Sequence, residues 1–177
     1  MKKLLFSAII IAGLTFSVEM GYSKAVNNVT VIDNTRQSPL SQLLNLYYDV
    51  KNALVNSDAN TAAAKASEFV KAINGIDMKA LSSADMNAFM PLQEKLVFDA
   101  KHISETKEID HQREHFKSLS DNFYKLAKAA KLSDNPVYQE YCPMKKAYWL
   151  SSESAIKNPY FGKQMLNCGK VTETLKY

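Results

Sequence analysis

The chain has 177 residues, 46% hydrophobic and 23% charged, with a formal net charge of +4. This is a globular composition, neither that of a disordered chain nor that of a polytopic membrane protein. With Lys2, Lys3, Lys24 and Glu19 set aside, the 22 basic and 18 acidic residues fall to 19 and 17, a net +2 with no block of like charge, so nucleic acid is not expected as a partner.

Residues 1–25 read as a secretory signal peptide. Lys2-Lys3 precede an apolar run from Leu4 to Val18, and small residues stand at Ser23 and Ala25. The run is shorter than the roughly 20 residues of a membrane span, and no second one follows. The expected mature chain is therefore periplasmic or secreted, without a membrane span. Its roughly 150 residues suit one domain. Residues 26–37 are polar and mixed, an extended lead-in, and residues 38–177 form the expected single helical domain.

Ser38 is an N-cap candidate with Pro39 at the first helical position. Leu40, Leu43, Leu44, Tyr47, Val50 and Leu54 then keep the spacing of one helical face. Asn56-Ser57-Asp58 ends this helix, and Asp58 can cap the next. The second helix presents Ala62, Ala66, Phe69, Val70 and Ile73, with Gly75 where a left-handed C-cap belongs. A third runs from Ser82 or Ser83 to about Thr106 through Phe89, Leu92, Leu96, Ala100 and Ile103, and Pro91 should kink it or restart it. A fourth begins near Asp110 and carries Gln112, Phe116, Leu119, Phe123, Leu126 and Ala130. Four amphipathic helices with short connections predict an all-α fold, an antiparallel four-helix bundle.

After Pro136 the helical period disappears. Residues 136–177 read as an irregular, aromatic segment packed on the bundle through Trp149, Tyr160 and Phe161. Short extended pieces are expected at Val137–Tyr141, Tyr148–Leu150 and Val171–Leu175.

That segment also holds both cysteines, the only tryptophan and five of the nine tyrosines. Cys142-Pro143-Met144 and Met165-Leu166-Asn167-Cys168 pair each thiol with a thioether. Thiolate and thioether together suit Cu(I). The plainer reading is a Cys142–Cys168 disulfide, with Met144 and Met165 filling gaps. Spacing leaves both open. His111-Gln112-Arg113-Glu114-His115 matches the H-x-x-E-H pattern of inverted zinc peptidases. The acidic third ligand of such enzymes comes from far downstream, and only 62 residues follow His115, so solvated flank residues are the expectation. With no G-x-S-x-G elbow and no glycine-rich phosphate loop, no enzymatic activity is expected.

The string from Cys142 to Val171, preceded by Gln112–Asp121, resembles an uncharacterised family of exported bacterial proteins. The same domain occurs fused to the C-terminal end of CusB/HlyD-type adaptor subunits of heavy-metal efflux pumps. The resemblance spans roughly residues 45–171 and implies an all-helical domain connected to metal, chiefly copper. The residues it carries over are Cys142, Met144, Trp149, Asn158, Pro159, Met165, Cys168 and Gly169. One departure is visible: only Lys145-Lys146-Ala147 separates Met144 from Tyr148, where a longer, glycine-containing insert is common.

The resulting expectation is a soluble periplasmic protein binding Cu(I) through Cys142, Met144, Met165 and Cys168. His102, His111 and His115 are weaker auxiliary ligands, and an efflux adaptor or another envelope protein is the expected partner. The rival is a non-enzymatic interaction module whose C-terminal segment is stapled by a Cys142–Cys168 disulfide.

Overall fold

The computed structural model describes residues 38–177, so the expected signal peptide (1–25) and the lead-in (26–37) lie outside the described residues. Four α-helices come first: α1 (Pro39–Val55), α2 (Ala59–Asn74), α3 (Ser83–Glu105) and α4 (Ile109–Ala129). The starts of α1, α2 and α3 follow from short polar side chains that satisfy orphan amides. Ser38 Oγ accepts from the Leu40 amide at 3.3 Å, Asp58 Oδ1 from Thr61 at 3.0 Å, and Ser82 Oγ from Asp85 at 3.1 Å. Gly75 ends α2 with φ −88°, a right-handed conformation and not the left-handed cap its identity suggested. Helix α3 runs unbroken through Pro91.

The apolar stripes lie where the period placed them. Leu40, Leu43, Leu44, Tyr47, Val50 and Leu54 of α1 are buried, as are Phe69 and Ile73 of α2, Phe89 and Leu96 of α3, and Phe116 and Phe123 of α4. Each helix packs chiefly on the next in sequence. The Tyr47 ring also stacks on Phe123 (centroids 4.9 Å apart) and Phe116 (5.3 Å), drawing α1 against α4. Burial of one such side chain is worth about 1.5–3 kcal/mol. No helix among the described residues is long and apolar enough to cross a membrane.

The fold is not purely all-α. Residues 137–175 contain β1 (Val137–Cys142), β2 (Ala147–Ser151) and β3 (Lys170–Leu175), an antiparallel sheet in the order β2-β1-β3. The three expected extended pieces are these strands. They pair because Val, Tyr, Trp and Thr suit a pleated, half-buried surface, and because the bundle supplies the core that three short strands lack. The hairpin between β1 and β2 turns through Lys146, which takes a left-handed φ of 54°. The sheet docks β2 on α4. Tyr47 Oη accepts from the Leu150 amide at 3.0 Å and shares a 2.8 Å hydrogen bond with Ser120 of α4. Trp149 and Tyr160 are buried, as expected.

Candidate functional site

Cys142 closes the central strand and is fully buried, while Cys168 is half-buried in the loop before β3. Their sulfurs stand 3.8 Å apart, in contact and unbonded. This separation also equals, to within about 0.1 Å, the edge of a tetrahedron drawn around a metal with sulfur bonds of about 2.3 Å. Desolvation, and then the neighbouring Cys142 thiol, hold the Cys168 thiol above its ordinary value, while the Met144 amide pulls it back. Metal binding at Cys168 would therefore release a proton.

Asn158, fully buried, fixes the loop that carries Cys168. Its amide donates to the Leu166 carbonyl at 2.8 Å and its Nδ2 to the Cys168 carbonyl at 2.7 Å, while Oδ1 accepts from the Tyr160 amide. Gly169 completes the arrangement with φ +156°. A Cβ there would lie 2.9 Å from the Trp149 ring and 3.0 Å from the Tyr141 carbonyl, so only glycine lets the loop press against the sheet.

The thioethers sit differently from the thiols. Met165 is half-buried on the turn in which the Cys168 amide donates to the Met165 carbonyl at 3.0 Å. Met144 lies in the β1–β2 turn with its side chain outward, 66% exposed. Cys142 and Met144 therefore do not face one side in this conformation. Lys145, next in the turn, forms an ion pair with Glu114 of α4.

A second cluster joins α3 to α4. His102, in the last turn of α3, meets His111 and His115, and one donor atom of each lies within 4.8 Å of the others. The His102 and His115 rings are stacked 4.4 Å apart, and His111 stands edge-on 4.8 Å from His115. His115 Nδ1 is 3.1 Å from Oδ1 of Asp99, a carboxylate buried in α3. Burial raises the Asp99 carboxyl above its ordinary range, and the His115 contact pulls it back. Neither cysteine belongs to this cluster.

Two further features were not visible in the sequence. Arg113, in the middle of the H-x-x-E-H string, is buried: Nε donates to the Pro159 carbonyl at 2.9 Å, and Nη2 to Ser57 Oγ at 3.0 Å and to the Leu54 carbonyl at 3.3 Å. It bolts the 159–162 loop to the end of α1. Glu140, in β1 beside the thiol-bearing end, has no exposed surface and no hydrogen-bond partner for either oxygen. Desolvation raises it from an ordinary value near 4.5 to about 7, opposed by the buried Lys51 ammonium of α1 and by the Trp149 indole N–H, which approaches without hydrogen-bond geometry. Lys51 in turn is lowered by its own burial.

A helical domain completed by a small sheet, with one thiol closing the central strand and the other in the loop before β3, and clustered imidazoles on the helices, defines the class. The chain belongs to the family described as protein of unknown function (DUF3347), whose model matches residues 43–135, from α1 to the approach to β1. No curated protein and no solved structure matches it.

Proposed function

We propose that the protein is an exported, non-enzymatic metal-handling protein that binds a soft cation, Cu(I), through Cys142 and Cys168. Met165 and the exposed turn residue Met144 are the thioethers nearest in sequence to complete the donor set. The observation that carries this reading is the 3.8 Å approach of two thiols from segments 26 residues apart, on a loop that Asn158 and Gly169 hold in place. Soft sulfur donors select Cu(I) over oxygen-seeking cations. In that state Met144 turns inward from its exposed position. Buffering of copper, or its delivery to an efflux adaptor of the envelope, is the proposed role.

The test is anaerobic titration with Cu(I) against a chromophoric chelator. One tightly held copper is expected in the native chain, and none in the Cys142→Ser/Cys168→Ser variant, whose helical circular dichroism should be preserved. Equal copper affinity in the two proteins would defeat the proposal.

The same 3.8 Å contact favours a second reading, in which the thiols oxidise to a disulfide and the C-terminal sheet becomes a stapled docking surface. Closing a loop of this length is worth about 3 kcal/mol by chain entropy. The mass of the protein isolated from its own compartment separates the readings, since a metal-free species lighter by two hydrogens is the signature of the staple.

A further inference from the structure

We propose that His102, His111 and His115 form a metal site of their own, separate from the two thiols, that takes a borderline divalent transition-metal cation of the zinc type. This goes beyond the sulfur site and does not depend on it. Imidazole suits zinc and its neighbours among divalent metals, whereas thiolate takes zinc as well as Cu(I), so the imidazole site is read alone only when the thiols are removed.

The geometry comes from two helices. Positions 111 and 115 are one turn apart on α4 and share a face. The third imidazole arrives from the last turn of α3, because the three-residue connection 106–108 folds α4 back on α3. The donors already lie within 4.8 Å of one another. A tetrahedral ion with metal–nitrogen bonds of about 2.0–2.1 Å needs them about 3.4 Å apart. Side-chain torsions can close that difference, since His111 is exposed and His102 half-exposed.

Asp99 is the independent observation. A buried carboxylate stands 3.1 Å from His115 Nδ1, an arrangement that suits a proton on that nitrogen and metal binding through Nε2. Carboxylate-backed histidine is the outer-shell arrangement that orients metal ligands and raises their basicity. Phe98, with its ring 4.5 Å from His102 and 6.0 Å from His115, walls one side of the cluster.

Three ligands leave a fourth position open toward solvent at His111. Glu114, the general base in the H-x-x-E-H pattern, is engaged by Lys145. The site therefore reads as one that holds and passes on a cation, with the open position available to a ligand from a partner or from solvent.

The experiment uses the full chain carrying Cys142→Ser and Cys168→Ser, so that the sulfur site cannot contribute. Co²⁺ is titrated while the visible d–d bands are followed, and Zn²⁺ then displaces it. One equivalent with tetrahedral Co²⁺ absorption is expected. Adding His111→Ala, an exposed position whose loss should leave the fold intact, should weaken binding at least tenfold. Adding Asp99→Asn should cost ten- to a hundredfold with all three ligands present. Absence of saturable binding at sub-millimolar metal, or affinity unchanged by His111→Ala, overturns the proposal, whatever the fate of copper at the thiols.

Discussion

Arg113 and Gly162 show how much of this fold rests on single residues. The Arg113 guanidinium ties a loop carbonyl to the end of α1, and Gly162 makes room for it. Gly162 has φ +54°, and a Cβ there would lie 2.5 Å from Ser57 Oγ and 3.0 Å from Arg113 Nη2 and the Val55 carbonyl. A left-handed backbone alone costs an L residue about 1–2 kcal/mol. Gly162→Ala is therefore expected to lower stability by about 2–3 kcal/mol in urea denaturation, and a loss within experimental error would show that the loop relaxes freely. Glu140 gives a pH signature. Its native value of about 7 exceeds the ordinary value near 4.5, so between those values the folded state binds more protons than the unfolded one. Stability should then fall as pH rises from about 4.5 to 7, by roughly 3 kcal/mol in total, and stay lower above that. In Glu140→Gln this decline should vanish. The same slope in both proteins, measured by denaturation at pH 5 and 8, would assign it to other groups.

Among the elements, the helices were legible because one apolar face repeats every three to four residues, and Leu40 through Leu54 or Phe89 through Ile103 need no distant partner to be read. The polar members of those faces were not. Lys51, Asp99 and Arg113 are buried on helices where a charged residue reads as solvent-facing, and what permits their burial arrives from 100, 16 and 46 residues away at Ser151, His115 and Pro159. The strands were visible as extended pieces but not as a sheet, since β1 lies between β2 and β3 only through pairing with residues some thirty positions later. The candidate sites divide in the same way. The thiols could be paired from composition, and the i, i+4 histidines from spacing. The third imidazole depends on how α3 packs on α4, which no local pattern encodes.

For the whole molecule, helices and the C-terminal segment are joined at several points, from Lys51–Ser151 to Lys128–Glu173, and one of them is shared by three elements. Tyr47 stacks on α4, hydrogen-bonds to Ser120 and accepts from the backbone of β2, so α1, α4 and the sheet share one node. The two candidate metal centres sit on different parts of the chain, the thiols at the end of β1 and in the loop before β3, the imidazoles on α3 and α4. The close seating of Gly169 against the Trp149 ring has an optical consequence. This is the only tryptophan in the chain, and its ring faces Gly169, the residue after Cys168. Its emission is a channel for the sulfur pair. Silver(I), a closed-shell stand-in for Cu(I), should shift or quench Trp149 fluorescence at one equivalent, and the response should vanish in Cys142→Ser/Cys168→Ser. A silver response that persists without the two thiols would mean that the tryptophan reads another site, and the protein would have reported so without a label.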